Sequence, residues 1–305
     1  STSWSGLSEV AVKAGPLILI GMGLALGFRA GVWNIGAEGQ FIAGALLGSA
    51  PAVYFFDSTN LLILPCMMLL GILGGMAWAA MPALLKTRFN ANEILVSLML
   101  VYVAELLLVH LVQGPWRNPQ GWGFPGTRMF PDVALLPMFF PGYRVHLGTL
   151  IAVLIPFVIW FVLIRTRFGF QIRVFGSAPL AARHAGIGNN QMVWTTLLVG
   201  GGLAGLAGVM EAASTIGQLM PKISPGYGFT AIIVAFLGRL HPVGVLLAGT
   251  VIAVTYIGGE SAQISAGLPK AVTGLFQGII LFYLLAFDLL TRYRLTRVST
   301  RGNAA

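Results

Sequence analysis

Three polar side chains stand close together in residues 29–40, between two apolar runs of the chain. They are Asn34, Glu38 and Gln40, and glycines lie between them. If the flanking runs cross a membrane, irregular backbone at that depth is tolerated only where it lines a cavity or is buried in protein. We therefore predict that these side chains line or brace a polar pathway. The alternative is an ordinary turn in water that begins a new helix.

A second polar cluster precedes the apolar run that begins near residue 93. Asn92 or Asn90 can cap a helix there, and the helix dipole favours Glu93 in its first turn. Capping alone is one interpretation of these residues, and a position beside the pathway is the other. Glu105 lies within the run, where an ionisable group usually faces the interior of a bundle or water. Asn92, Glu93 and Glu105 are therefore further candidate pathway residues.

A third distinctive stretch, residues 165–187, combines arginines with small residues. Ser177 can cap a short helix, Pro179 suits its first turn, and Gly186 can end it. Two alanines four residues apart would fall on one face of this helix and allow another protein to come close. A solvated basic loop is the alternative.

The sequence carries no catalytic or nucleotide-binding signature. It has no G-x-x-x-x-G-K-[ST] phosphate loop, no H-E-x-x-H or G-x-S-x-G motif, and no cysteine and histidine cluster with zinc spacing. Cys66 is the only cysteine. We therefore expect a protein that is not an enzyme and that binds no cofactor or metal of its own.

The composition indicates a protein that lies in a lipid bilayer. Of its 305 residues, 57% are hydrophobic and 9% are charged, and the mean hydropathy is +0.86. Soluble domains carry roughly 25% charged residues. The net charge of +9 comes from cations in short segments between apolar runs, which is typical of loops retained in the cytoplasm and argues against a nucleic-acid partner.

Nine apolar runs predict an all-α, polytopic transmembrane bundle with interrupted helices, forming one domain over residues 1–305. Backbone groups in lipid must be satisfied internally, which favours helices. The run at 229–238 is too short to cross alone and predicts a half-helix. The runs cover approximately residues 10–28, 37–56, 61–85, 93–113, 148–164, 192–212, 229–238, 242–260 and 269–290. Glycine pairs at four-residue spacing predict close helix packing: Gly44/Gly48, Gly71/Gly75, Gly201/Gly205 and Gly274/Gly278.

The distribution of arginine predicts the orientation. Residues 165–190 and the tail 291–305 are rich in arginine and should be cytoplasmic, which places residues 114–147 outside. That outer segment is rich in proline, glycine and aromatic residues, so it is an interfacial aromatic belt, a docking surface for an external protein, or both. The same parity places Ser1 outside, and we expect one further helix upstream and about ten in the intact protein.

Four motifs occur in order along nearly the whole chain: NIGAEGQ at 34–40, FNANEILVSLML at 89–100, RTRFGF with AARHAGI at 165–187, and GRLHPVG at 238–244. Together they resemble the permease subunits of ABC importers for nucleosides and simple sugars. These are relatives of the ribose permease that work with basic-membrane-protein-type binding lipoproteins. Each motif alone is of moderate specificity, whereas the ordered set is specific.

The resemblance implies a place in the bacterial cytoplasmic (inner) membrane and a set of partners. These are the lipid bilayer, an ATP-binding-cassette ATPase that holds ATP and Mg²⁺, and a second permease subunit, either a related chain or a copy of this one. An external substrate-binding lipoprotein or periplasmic protein is also implied. Residues 34–40 would lie near the pathway, and 177–187 would be the coupling helix in a groove of the ATPase. The implied ATPase contacts are Ser177, Pro179, Ala181, Ala182, Arg183, Ala185 and Gly186.

An ion-driven secondary transporter is the main alternative, because Glu38, Glu105 and Glu211 are intramembrane carboxylates. A membrane enzyme is a more distant alternative, since the sequence holds no catalytic constellation. For the substrate, a nucleoside, a ribose-like sugar and another small polar solute are all compatible with the sequence.

Overall fold

The computed structural model describes residues 4–139, 142–267, 269 and 271–292. This part of the chain is mainly helical. The helices are α1 (Trp4–Arg29), α2 (Ala37–Tyr54), α3 (Ile63–Phe89), α4 (Glu93–Gln113), α5 (Leu147–Arg165), α6 (Arg167–Ser177), α7 (Pro179–His184), α8 (Asn189–Glu211), α9 (Tyr227–Leu237), α10 (Pro242–Ala266) and α11 (Ala271–Arg292). A 3-10 turn at Asp132–Ala134 and a π turn at Ala212–Ile216 complete the helical elements described.

Each predicted apolar run lies in a helix, but the predicted count of nine spans is not confirmed. Six helices are long and apolar enough to cross a membrane: Trp4–Arg29, Ile63–Phe89, Glu93–Gln113, Leu147–Arg165, Asn189–Ser214 and Pro242–Ala266. The helix α9 has 11 residues and rises about 16 Å at 1.5 Å per residue. Because the hydrocarbon core is about 30 Å thick, α9 is the half-helix that its length predicts.

The helix α8 lies at the centre and packs against α1, α2 and α3. Glycine allows these backbones to approach: a Cβ on Gly205 would overlap the Gly71 carbonyl, and one on Gly44 would overlap Gly205. The first three predicted glycine pairs are confirmed as packing sites. The fourth pair is not confirmed, because a Cβ on Gly274 or Gly278 would meet no described atom within 4 Å.

The long connection between α4 and α5 folds against the segment that follows α8. The Thr127 amide donates to the Leu219 carbonyl at 3.0 Å, and the Phe130 amide donates to the Gly217 carbonyl at 2.8 Å. Gly217 ends the π turn with a left-handed φ of 68°, which suits a residue without a Cβ. These bonds hold the chain as it returns from the end of α8 to the start of α9.

The chain divides into two compact units, one up to Gly258 and one from Gly259. The first contains α1 to α9 and most of α10, and it holds every candidate site residue. The second contains the end of α10 and all of α11. The predicted cytoplasmic tail 291–305 lies outside the described residues from position 293 onward.

Replacing one central glycine should weaken the packing of the first unit. In Gly205→Ala the new methyl would overlap the backbone of α3, and such overpacking typically costs about 1–3 kcal/mol. We expect a lower thermal midpoint for the purified protein. The matched control is Gly258→Ala in α10, where a Cβ meets nothing within 4 Å, so the midpoint should stay the same or rise. Equal midpoints for the two variants would contradict glycine-dependent packing at α8.

Candidate functional site

Glu38 lies where the N-termini of two helices meet. It is in the first turn of α2, and its side chain reaches the first turn of α9, where Oε2 accepts a hydrogen bond from the Gly228 amide. Only 3% of Glu38 is exposed. The carboxylate is therefore buried in protein and does not lie in the bulk water of a surface turn.

The start of α9 needs this carboxylate because its own cap is incomplete. The first amides of a helix have no intrahelical acceptor, and the N-cap residue Gly226 has no side chain to offer one. Ser224 Oγ accepts from the Gly226 and Tyr227 amides, each at 3.0 Å, and its hydroxyl is also hydrogen-bonded to Glu38. Glu38 accepts from the next amide, and the positive ends of both helix dipoles favour its negative charge.

Gly228 makes the contact sterically possible. A Cβ at this position would overlap the backbone nitrogen of Glu38. The two helix starts can therefore approach only while residue 228 is glycine. This close approach brings the carboxylate within reach of the α9 amide.

An amide pair supports the break between α1 and α2. Asn34 Nδ2 donates to Gln40 Oε1 at 2.9 Å, and Gln40 Nε2 donates back to Asn34 Oδ1 at 3.2 Å. Asn34 Oδ1 also accepts from the Gly36 amide at 3.1 Å, and Ser97 Oγ accepts from the Ile35 amide at 3.3 Å. Asn34 and Gln40 are buried. The predicted trio thus stands together, with Glu38 facing α9 and the other two holding the interrupted backbone.

Further polar residues lie around the start of α9, and of these only Glu211 was predicted from the sequence, as a carboxylate of the ion-driven alternative. The Tyr227 hydroxyl lies 3.5 Å from Glu211 Oε1, and Thr230 Oγ1 lies 2.9 Å from the Tyr256 hydroxyl. The Tyr227 and Tyr256 rings meet edge to face at 6.0 Å. A Ser-Pro-Gly turn before a run too short to span was the available signal, since it predicts a helix start inside the bundle.

The predicted α4 residues do not share this cluster. Asn92 caps α4, accepting from the Ile94 amide at 2.9 Å, so the capping interpretation is confirmed. Glu93 pairs with Lys86 at 2.8 Å. Glu105 is exposed in the middle of α4, yet close enough to Glu38 for the two carboxylates to repel one another.

The segment after α5 contains the predicted short helix, with one correction. Pro179 occupies the first turn of α7, and Gly186 follows its end with a φ of 82°, as predicted. Ser177 does not cap α7, because its hydroxyl instead donates to the Arg173 carbonyl at 2.9 Å, inside α6. Ala178 occupies the N-cap position without a side-chain bond.

The faces of α7 differ in their exposure. Ala181, Arg183 and Ala185 are exposed, whereas Ala182 is fully buried against this chain. Ala182 is therefore not available to a partner surface. The neighbouring α6 leans on α1, where a Cβ on Gly176 would overlap a backbone carbonyl.

The contact between α6 and α1 leads on to α9. The Cβ on Gly176 would overlap the carbonyl of Arg29, the last residue of α1. One residue earlier, the Phe28 ring stacks on Phe236 near the end of α9 at 5.3 Å. Contacts therefore run continuously from α7 through α6 and α1 to the half-helix that Glu38 caps.

No group of three or more His, Cys, Asp or Glu side chains in the described part of the chain could hold a metal ion. The buried polar cluster at α9 stabilises a helix that begins inside the bundle. It contains the carboxylates of Glu38 and Glu211 and several hydroxyls.

Comparison with known proteins gives a consistent set of relatives. Residues 6–285 match the family described as branched-chain amino acid transport system / permease component. The glucose ABC transporter permease protein TsgB13 of Haloferax volcanii is 39% identical over 315 residues, covering 100% of this chain and 82% of that protein. The guanosine ABC transporter permease protein NupP of Bacillus subtilis is 29% identical over 318 residues, covering 99% and 89%.

A solved structure has a similar fold. It is a metal-chelate-type ABC transporter in an inward-facing conformation, with a TM-score of 0.54 at 15% identity over 92% of this chain and 85% of that chain. The relatives support an ATP-driven transporter over the ion-driven alternative. The chain therefore belongs to the family of permease components of the branched-chain amino acid transport type, and it is the multi-pass, non-enzymatic permease subunit of an ABC transporter that acts with an ATPase and a substrate-binding protein.

Proposed function

We propose that this chain forms part of the translocation pathway of an ATP-driven importer for nucleosides or simple sugars. The observation that carries the proposal is the half-helix α9, which begins inside the bundle on the carboxylate of Glu38. Non-helical backbone inside a membrane protein is tolerated where it is buried or lines a cavity. Relatives named for glucose and for guanosine support a solute that carries sugar hydroxyls.

The exposed face of α4 supports a pathway that a second permease subunit completes. Tyr102, Glu105 and Leu106 are exposed there, and a carboxylate facing lipid near the bilayer centre would cost about 2.5–3.5 kcal/mol or more. A water-filled path between two permease chains, either related or identical, would leave Glu105 hydrated. Such a path would hold the solute weakly, while an external binding lipoprotein or periplasmic protein selects it.

The coupling to ATP follows the contacts from α7. In this proposal the exposed alanines Ala181 and Ala185 fit against an ATPase that holds ATP and Mg²⁺, with Pro179, Arg183 and Gly186 shaping the same short helix. Movement of α7 would pass through Gly176 to the end of α1 and so to α9. The start of α9 would then shift relative to Glu38 and open or close the path.

The orientation belongs to the same proposal. Arginine in residues 165–190 favours a cytoplasmic position for α6 and α7, so in this proposal the protein lies in the inner membrane with residues 114–147 outside. The C-terminus is cytoplasmic in this arrangement.

The cap on α9 predicts the order of transport activity in two variants. Glu38→Gln keeps an oxygen that can accept from Gly228 but loses the charge, whereas Glu38→Leu loses both. A hydrogen bond to a charged group contributes about 1.5–3 kcal/mol, and about 1.4 kcal/mol corresponds to a tenfold effect. We expect uptake of guanosine or glucose by proteoliposomes containing the whole transporter to fall about tenfold in Glu38→Leu and less in Glu38→Gln.

The control for the Glu38 series is Glu9→Gln. Glu9 forms an exposed ion pair with Arg144 at 3.3 Å, and such pairs contribute little. Its uptake should match the unmodified protein. Equal uptake by Glu38→Leu and the unmodified protein would rule out a working role for the cap.

The exposed face of α7 predicts where a bulky side chain uncouples transport. Ala185→Trp would overfill a close contact with the ATPase, and overpacking costs about 1–3 kcal/mol. Uptake and the stimulation of ATP hydrolysis by ligand-loaded binding protein should fall together. Ala185→Ser, which occupies nearly the same space, should retain both activities. Full coupled activity of the Ala185→Trp transporter would contradict the proposed contact.

The orientation predicts labelling from opposite sides of the membrane. With the single cysteine removed as Cys66→Ser, we expect Gly121→Cys to react with an impermeant maleimide from outside. Ser177→Cys, which is exposed next to α7, should react only from the cytoplasmic side of inverted vesicles. Labelling of both positions from one side would reverse or refute the orientation.

A further inference from the structure

A small cavity with several polar groups on its walls lies between α1, α5 and the end of α8. Its walls include Val12, Pro16, His146, Thr149 and Glu211. The volume in which the centre of a water molecule can lie is about 10 Å³. This is about the volume that a single water requires. Among these residues only Glu211 has a predicted role in transport, as a carboxylate of the ion-driven alternative.

His146 presents a hydrogen-bond donor to this cavity. Its Nδ1 accepts from the Gly148 amide at 3.1 Å and so caps the start of α5. An imidazole whose Nδ1 accepts a hydrogen bond carries its proton on Nε2. His146 is 7% exposed, and its Nε2 has no hydrogen-bond partner among the described residues. A buried donor of this kind requires an acceptor.

Two further groups on the walls could bond an occupant of the cavity. Thr149 is 7% exposed, and its Oγ1 has no hydrogen-bond partner in the described part of the chain. In α1, Pro16 lacks the N–H that would otherwise bond the carbonyl of Val12. Carbonyls freed by proline in membrane helices are commonly satisfied by ordered water.

The hydrogen-bonding groups on the cavity walls determine which molecule or ion can bind there. The Nε2–H of His146 is a donor, which repels a metal cation, while the carboxylate of Glu211 repels an anion. A water molecule accepts from the first and donates to the second. We propose that this cavity is a structural water site, in which one water accepts from His146 and donates to Glu211 or the Val12 carbonyl, with Thr149 as a further partner.

This water joins three helices to the start of α9. It links α1, α5 and α8 on one side, and on the other Glu211 lies 3.5 Å from the Tyr227 hydroxyl. Burial and the nearby Arg144 guanidinium lower the pKa of His146 to about 4. The imidazole therefore stays neutral above about pH 5, and the direction of its hydrogen bond does not change near neutral pH.

Two measurements test the site in the intact transporter. A cryo-EM map at about 2 Å should show a single peak within about 2.7–3.2 Å of His146 Nε2 and Thr149 Oγ1. Thr149→Val keeps the side-chain volume but removes the hydroxyl, so it should lower the thermal midpoint by about 2 °C, as expected for one lost hydrogen bond. The matched control is Thr196→Val, a buried threonine whose hydroxyl bonds its own helix at 2.6 Å.

The sign of the change in thermal midpoint distinguishes a hydrated cavity from a dry one. With the water present, Thr149→Val lowers the midpoint about as much as Thr196→Val does, because each variant loses one buried hydrogen bond. In a dry site the same substitution removes an unsatisfied hydroxyl and raises the midpoint, which would overturn the proposal. A peak with contacts of about 2.0–2.6 Å to oxygen atoms only would identify a metal ion and would overturn it as well.

Discussion

The contact between Glu38 and the start of α9 is the constraint on which the centre of this protein depends. A half-helix inside a bundle exposes amides that lipid cannot satisfy, and α9 has no side-chain cap of its own on Gly226. Glu38 supplies the missing acceptor from a position 190 residues earlier. The same carboxylate lies in the first turn of α2, so one charged group interacts with the positive ends of two helix dipoles. Without it, α9 would have to start elsewhere or pair with water.

The glycines around α8 make that contact reachable. Because α1, α2 and α3 all lie against α8 at backbone distance, the break between α1 and α2 is drawn into the bundle and not left at its surface. Asn34 and Gln40 then satisfy one another across the break. The small residues around α8 thus allow close helix packing, and this packing determines how deep in the bundle the polar cluster lies.

The positions of the helices could be predicted from the sequence more fully than the contacts between them. Apolar runs long enough to span appear directly in composition, and α4 begins and ends at the predicted residues, with Asn92 as its cap. The partner of Glu38 could not be predicted, because a contact between residues 38 and 228 depends on how the helices pack. For the same reason Ala182 was placed among the partner contacts, although the fold turns it inward. Periodicity gives the faces of a short helix but does not say which face is covered.

Glu105 places a charge on a face of α4 that the rest of the first unit leaves exposed. Its carboxylate is exposed on a single chain, where lipid would make it costly, and yet it lies near the buried Glu38. A surface that must be hydrated and that adjoins a half-helix has the properties expected of one wall of a path. In the proposed transporter the opposite wall would come from a second permease subunit, because Tyr102, Glu105 and Leu106 of α4 stay exposed within the first unit.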